Sequence, residues 1–162
     1  MPGELEHPQI AYSEYEIRFK AAEYCEKWIG IFYLYGGDDP SGFDCNGIMH
    51  EVLQAYGVEK RGYDCTAHQL YLNHKSKEIK KRPYPGCLVF WFKKGTEHVQ
   101  HVEMVTEVIQ DLIFTTGASG GGKRTTTEKA AIQHNAYIKK NPINYRGKNY
   151  VVCDPFLKGE GE

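Results

Sequence analysis

Residues 33–47 read YLYGGDDPSGFDCNG, and residues 48–57 continue as IMHEVLQAYG. The glycines, aspartates and proline of the first stretch predict a tight loop. The second stretch carries apolar residues at helical spacing and stops at a glycine, so a helix is expected from about Asp44 to Gly57. Cys45 then lies in the first turn, where the positive end of the helix dipole favours a thiolate over a thiol. We therefore predict that Cys45 is a reactive cysteine at a helix start.

The other four cysteines fit this role less well. Cys25 falls on the apolar face of a predicted helix, and Cys87 and Cys153 lie inside apolar strand patterns, so these three are expected in the core. Cys65 also lies near a predicted helix start, which makes it the rival to Cys45. The five cysteines form no CxxC pair and no zinc-ligand spacing, so neither a disulfide framework nor a metal site is predicted, and no cofactor is expected.

Composition limits the class of protein. A chain of 162 residues with 41% hydrophobic residues is typical of one globular domain. We predict a single domain over residues 1–162, with an extended segment at 1–12 and a flexible tail at 157–162. Twenty basic residues against twenty-one acidic ones leave a formal charge of −1, which gives no general attraction to nucleic acid.

No apolar run approaches the roughly 20 residues that a membrane-spanning helix needs. The first residues lack the basic region and the apolar stretch of a secretory signal. The sequence therefore predicts a protein that is cytoplasmic, or phage-encoded and released at lysis, or part of a virion.

Helices come first along the chain and strands second. Residues 13–30 predict an amphipathic helix that opens with a capping box of Ser13 and Glu16, and a shorter helix is expected from Asp64. Later runs rich in β-branched and aromatic residues predict strands; they are GCLVFWFK (86–93), HVQHVEMVTEV (98–108), DLIFTTGAS (111–119), NAYIKKNPI (135–143) and NYVVCDPF (149–156). Thr125 is expected to cap a short helix before the fourth run. This order predicts an α+β fold with an antiparallel sheet.

A cysteine nucleophile needs a base within hydrogen-bond reach. Of the seven histidines, His101 is the one in the body of a predicted strand. Alternation along that strand places His101 and Glu103 on one face and Val102 and Met104 on the other. We predict that His101 is the partner of Cys45.

The loop at 33–47 resembles the Tyr-x-x-Gly-Gly … Gly-x-Asp-Cys-Ser-Gly signature of the NlpC/P60 cysteine peptidases. The run GCLVFW is similar to that family's Gly-Asp-Leu-Val-Phe-Phe strand, and HVEMV is similar to its His-Val-Gly-Ile-Tyr strand. The resemblance covers about residues 14–119. It implies a papain-like fold, with N-terminal helices packed on an antiparallel sheet and the nucleophile at a helix N-terminus.

The resemblance also implies roles for single residues. Cys45 matches the nucleophile of the family, and His101 matches its general base. Tyr33 matches a tyrosine that lies beside the nucleophile and helps to bind substrate or stabilise the oxyanion. Asp44 matches an acidic residue that helps to form the substrate pocket.

Three positions depart from the family pattern. Asn46 stands where the family usually has serine, a position that contacts the substrate in some members. Glu103 replaces the glycine two residues after the histidine, and on the predicted strand it faces the same way as His101. Gly117 falls where the family has the His, Asn or Gln that orients the imidazole.

The third catalytic group is therefore open. The candidates are Thr115, Thr116, Glu103, Gln133 and Asn135. A Cys-His dyad helped by water or by a backbone carbonyl is a further alternative, since the third group orients the base and is not the nucleophile.

The resemblance implies a cysteine hydrolase, a thiol protease that degrades the bacterial cell wall, as a phage endolysin does. The implied partner is a peptidoglycan stem peptide, cut at an amide bond such as that between D-γ-glutamate and a diamino acid. An N-acetylmuramoyl-L-alanine amidase or a transferase on the same scaffold is one alternative. A catalytically inactive wall-binding or assembly protein is another.

Overall fold

A five-stranded antiparallel sheet organises the fold in the computed structural model, which describes residues 12–39 and 42–158. The helices are α1 Tyr12–Glu26, α2 Cys45–Ala55, α3 Ala67–His74 and α4 Glu128–Gln133. The strands are β1 Asp38–Asp39, β2 Gly42–Phe43, β3 Leu88–Phe92, β4 Val99–Ile109, β5 Leu112–Ser119, β6 Tyr137–Pro142 and β7 Tyr150–Cys153. In the sheet the strands follow the order β6-β5-β4-β3-β7, and the two very short strands pair separately as β1-β2.

The prediction of an α+β fold with an antiparallel sheet is confirmed, since each of the five predicted strand runs coincides with one strand of this sheet to within a few residues. Helix α1 begins at Tyr12, inside the segment that was expected to be extended up to residue 12. The rest of that segment, the side chain of Ser13 in the expected capping box, and residues 159–162 of the expected tail lie outside the described residues. None of the helices among the described residues is long and apolar enough to span a membrane.

Strand β3 separates two apolar cores. Leu88 and Phe90 belong to the larger core, which the helices α1, α2 and α3 complete. Val89 and Trp91 belong to a smaller core on the other face of the sheet. Burial on both faces explains why this strand is a continuous apolar run.

Strand β4 continues this alternation next to β3. Trp91 pairs with His101 and Val89 pairs with Glu103, while Val102 lies in the larger core. His101 and Glu103 are both buried, so the strand carries two polar side chains into the interior. The predicted placement of these two residues on one face is confirmed by a contact of 2.6 Å between their side chains.

Helix α1 shows a buried face that the sequence did not predict. Arg18 is 2% exposed, and its Nε donates to Asp154 Oδ2 over 2.9 Å. Tyr84 donates a hydrogen bond to the same carboxylate oxygen. The partner carboxylate lies 136 residues away along the chain, so local periodicity could not assign Arg18 to the interior.

Two predicted helix starts were wrong by a few residues. The hydroxyl of Thr127 caps α4 by accepting from Ala130 N, whereas Thr125 is buried and accepts from Gly122 N. Likewise α3 begins at Ala67 and not at Asp64, because Thr66 is its cap. In both stretches the side chain that meets a free N–H of the first turn is the one that sets the boundary.

Candidate active site

Cys45 is the first residue of α2 and is half-buried. The residue before it, Asp44, caps the helix: its Oδ1 accepts from Gly47 N over 2.7 Å. Its Oδ2 accepts from Gly36 N over 3.0 Å. Asp44 therefore ties the loop that precedes the helix to the first turn, and this holds the backbone that carries the thiol.

Close backbone packing explains the glycines of this loop. Asp44 N donates to Gly37 O over 3.0 Å, which brings that carbonyl against the helix start. A Cβ atom at Gly47 would lie 2.0 Å from Gly37 O, well inside van der Waals contact. Gly36 has a φ of +74°, where glycine is favoured. Gly36 and Gly47 therefore serve to shape the backbone of the tight loop that the sequence predicts before α2.

The His101 imidazole lies beside the Cys45 thiol and is 5% exposed. Its ring centroid is 5.6 Å from that of Trp91, which packs against it on β3. Burial lowers the pKa of His101, but hydrogen bonds with Cys45 and Glu103 outweigh this and raise the pKa to about 9. The structure thus brings the two predicted residues together, with the imidazole favoured in its protonated form at neutral pH.

Glu103 is the other partner of the imidazole. Its Oε2 lies 2.6 Å from His101 Nε2, and its side chain is fully buried. Burial raises the pKa of Glu103, but the hydrogen bonds and positive charge of His101, with further bonds from Tyr145 and Thr115, outweigh this and lower it. The carboxylate is therefore ionised, and His101 Nε2–H donates to it. This leaves Nδ1 as the ring nitrogen on the side of Cys45.

The other candidates for a third group lie elsewhere. Thr115 contacts the carboxylate and not the imidazole, because its Oγ1 donates to Glu103 Oε1 over 2.7 Å. The hydroxyl of Thr116 instead pairs with that of Thr106 over 2.7 Å. Gln133 and Asn135 are exposed.

Tyr33 is buried close to Cys45 and Asp44. Burial, together with the nearby Cys45 and Asp44, raises the pKa of Tyr33, so its phenol keeps its proton. The glycine-rich loop after β5 covers the ring, and a Cβ atom at Gly121 would lie 2.2 Å from it. The structure places a hydroxyl donor at the predicted position beside the thiol.

The Asn46 side chain bridges the two cysteines that the sequence left in competition. Its Nδ2 donates to Cys65 O over 2.7 Å, and its Oδ1 lies 3.9 Å from Cys45 Sγ. The amide is therefore oriented with its oxygen towards Cys45. The loop that carries Cys65 forms one wall next to the helix start.

Cys65 lies beside His50, a contact that the sequence did not predict. Its Sγ lies 3.7 Å from His50 Nε2, and His50 Nδ1 lies 2.6 Å from Glu59 Oε1. The backbone N–H of Cys65 already donates to His50 Nε2 over 3.2 Å, and burial raises the pKa of Cys65. This cluster holds the loop with a neutral thiol, so it does not displace Cys45 as the candidate nucleophile.

Sequence reasoning also missed Tyr145. It lies in a 3-10 turn over Ile143–Arg146, and its hydroxyl donates to Glu103 Oε2. No local pattern in the sequence pairs this turn with β4. Among the described residues, no group of three or more His, Cys, Asp or Glu side chains is arranged to hold a metal ion.

Comparisons with known proteins identify the family of the chain. The model of the NlpC/P60 family matches residues 30–144. Protein P54 of Enterococcus faecium is 37% identical over 75 residues, a match that takes in 45% of this chain but spans only 14% of that protein.

Solved structures share the fold. The NlpC/p60 domain of the peptidoglycan hydrolase SagA is 22% identical, with a TM-score of 0.54 over 82% of this chain and 94% of that domain. An NlpC/P60 family protein from Bacillus cereus is 17% identical, with a TM-score of 0.64 over 86% of this chain and 40% of that one. NlpC1 from Trichomonas vaginalis is 16% identical, with a TM-score of 0.62 over 94% of this chain and 48% of that one. The predicted NlpC/P60 fold is confirmed by these structures, and because the family match takes in well over half of the chain, the chain belongs to the NlpC/P60 family.

Proposed function

We propose that this chain is a cysteine hydrolase that cleaves amide bonds in the peptide stems of peptidoglycan, with Cys45 as nucleophile and His101 as its acid and base. The observation that carries the proposal is the contact of the His101 imidazole with Cys45 on one side and with the buried Glu103 carboxylate on the other. A nucleophile, a base and a group that orients the base are the parts that covalent amide hydrolysis requires.

The reaction follows from the positions of these groups. The Cys45 thiolate attacks the amide carbonyl, and a C–S bond forms as the carbonyl oxygen takes up negative charge. The N–H of Gly47 is bound to Asp44 Oδ1, but the N–H groups of the two residues before it have no acceptor within the helix, so we propose that they donate to that oxygen. His101 Nδ1–H then protonates the leaving amine, which breaks the C–N bond and leaves a thioester. The neutral imidazole next removes a proton from water, which attacks the thioester and releases Cys45.

Tyr33 and Asn46 contribute polar groups next to the sulfur. The phenol of Tyr33 keeps its proton, so it acts as a donor to a substrate carbonyl or to the oxyanion. Asn46 Oδ1 accepts a hydrogen bond from a substrate N–H, because its Nδ2 is already bound to Cys65 O. Asp44 acts on the pocket through the backbone that it ties together.

The choice of substrate rests on the family. One relative of the same fold is the domain of a peptidoglycan hydrolase. A stem peptide presents the amide bonds that a Cys-His pair attacks, and the bond between D-γ-glutamate and a diamino acid is the one we propose. The same pair would also serve an amidase, which cuts between the sugar and the first residue of the stem.

Digestion of purified peptidoglycan tests both the chemistry and the bond. Wild type, Cys45→Ala and Cys65→Ala are incubated with the wall material, and the soluble products are identified by mass spectrometry. We expect wild type and Cys65→Ala to release fragments cut within the stem, and Cys45→Ala to release none.

Three other outcomes of this digestion would change the proposal. Release of intact stems from the sugar would show amidase activity in place of endopeptidase activity. Equal release by wild type and Cys45→Ala would refute the assignment of the nucleophile. No release by wild type, together with slow alkylation of Cys45 by iodoacetamide, would favour the alternative of a catalytically inactive wall-binding or assembly protein.

A further inference from the structure

We propose that Glu103 is the positioning residue of His101, and that it fills from β4 the space that a side chain at position 117 on β5 would otherwise occupy. The proposal rests on the proposed function, because it assigns how the imidazole of that site is held. It adds a group that acts from the same strand as the base, two residues along.

The contacts around the carboxylate support this role. Glu103 Oε2 lies 2.6 Å from His101 Nε2, and both side chains are buried, at 0% and 5% exposure. A hydrogen bond of this kind sets which ring nitrogen carries the proton and turns the other one towards the nucleophile. Among the candidates that the sequence left open, Glu103 alone contacts the ring.

The carboxylate is itself held in place. Thr115 Oγ1 donates to Oε1 over 2.7 Å, and Tyr145 donates to Oε2. Burial and the nearby Glu103 raise the pKa of Tyr145, so its phenol remains a donor. With His101, three donors surround the carboxylate, which satisfies a buried charge that would otherwise be costly.

Gly117 provides the space for Glu103. Strands β4 and β5 pair Met104 with Thr116 and Val105 with Thr115, so Glu103 stands opposite Gly117 at the next pair. A Cβ atom at Gly117 would lie 2.4 Å from Glu103 Cγ. A side chain at 117 would therefore collide with Glu103 in its present position and displace it from His101. Gly117 has no side chain that could act as the expected third group, and the same lack of a side chain leaves the space that Glu103 occupies.

The first test measures how Cys45 reacts with iodoacetamide as a function of pH, in the substrate-free protein. In wild type the profile should change near the pH at which the imidazolium loses its proton. Glu103→Gln removes the negative charge but keeps the size of the side chain, so this change should move down by about 1 to 3 pH units. Glu107→Gln is the matched control, because Glu107 lies on the same strand but pairs with Lys140.

The second test exchanges the two positions. Glu103→Gly should reduce kcat/KM by about 10²- to 10⁴-fold, since the imidazole loses its partner. Gly117→Asn alone should also be impaired, because it collides with Glu103. The double variant Glu103→Gly/Gly117→Asn should be at least tenfold more active than either single variant, because each change removes the obstacle to the other.

A measurement on wild type covers the case in which Glu103→Gln does not fold. In ¹⁵N NMR of the imidazole, His101 Nε2 should be protonated and hydrogen-bonded throughout neutral pH. An unprotonated Nε2, an unmoved alkylation profile in folded Glu103→Gln, or a double variant no better than its parents would each overturn the proposal. Alkylation and NMR need no substrate. They therefore test the role of Glu103 even if the protein proves not to hydrolyse peptidoglycan.

Discussion

At the scale of single residues, His101 is the group on which the site depends. Its ring contacts a thiol on one side and a carboxylate on the other while remaining almost fully buried. A buried imidazole without such partners would lose its proton, because burial disfavours the charged form. Here the two partners reverse that tendency, so the site holds a proton that it can deliver to a leaving group.

This reversal predicts a pH limit for activity. Because the pKa of His101 is raised to about 9, the protonated ring persists up to that pH and is lost above it. The same bonds stabilise the folded state below the unfolded pKa of about 6.5, and that contribution disappears as pH rises through about 9. We expect kcat/KM for a stem-peptide substrate to fall above about pH 9, with a parallel fall in the free energy of unfolding in urea. A fall in kcat/KM already near pH 6.5 would contradict the raised pKa of His101.

Gly47 gives a second prediction at this scale. A methyl group at this position would lie 2.0 Å from Gly37 O, and backbone atoms cannot swing aside as a side chain can. We expect Gly47→Ala to destabilise the protein by at least about 2 kcal/mol and to slow alkylation of Cys45. Gly122→Ala is the control, because a Cβ atom there meets nothing within 4 Å. Equal thermal stability of the two variants would contradict this prediction, because it would show that the loop accommodates the methyl group without loss of stability.

At the scale of elements, the start of α2 combines two functions in one turn. Asp44 caps the helix and fastens the loop before it, and Cys45 follows directly. A capping side chain at this point fixes the direction in which the first N–H groups face. The contribution to the substrate pocket that we propose for Asp44 would therefore be made through the backbone that it holds.

Removing this cap should affect the site more than removing another one. We expect Asp44→Ala to cost about 1 to 2 kcal/mol of stability in urea unfolding and to lower the rate of Cys45 alkylation. Thr127→Ala, which removes the cap of α4, should cost a similar amount but leave the alkylation rate unchanged. Asp44→Asn should keep the cap but lose the bond from Gly36 N, because an amide has only one acceptor oxygen, so its stability should lie between those of Asp44→Ala and wild type. An unchanged rate of Cys45 alkylation in Asp44→Ala would show that the cap does not affect the reactivity of the thiol.

Local patterns predicted the parts of this site that depend on neighbouring residues along the chain. The helix start at Cys45 follows from loop glycines and apolar spacing, and the shared face of His101 and Glu103 follows from strand alternation. The choice of third group did not follow, because it depends on the register of β4 with β5 and on the space left by Gly117. Tyr145 was missed for the same reason, since a distant turn brings it to Glu103.

At the scale of the whole molecule, a buried ion pair connects the first helix to the end of the last strand. Arg18 on α1 and Asp154 after β7 are 2% and 0% exposed, and Tyr84 and the N–H of Phe156 also donate to the carboxylate. The cluster adjoins the smaller core, to which Tyr84 belongs. It holds α1 in place, and α1 in turn packs on β4, the strand that carries His101.

Breaking this pair should therefore lower stability without changing the chemistry of the site. Asp154→Ala leaves the Arg18 guanidinium buried without a counter-charge, which is expected to cost about 3 to 5 kcal/mol in urea unfolding. The double variant Arg18→Met/Asp154→Ala removes both charges and should recover part of that loss, because the desolvation cost of the unpaired charge is gone. Lys80→Ala, which breaks the exposed pair with Glu78, should change stability little.

The Cys45 alkylation rate at neutral pH, measured well below each unfolding midpoint, should match wild type in all three variants. A slower rate in folded Asp154→Ala would mean instead that the ion pair helps to set the position of β4, and with it the position of His101.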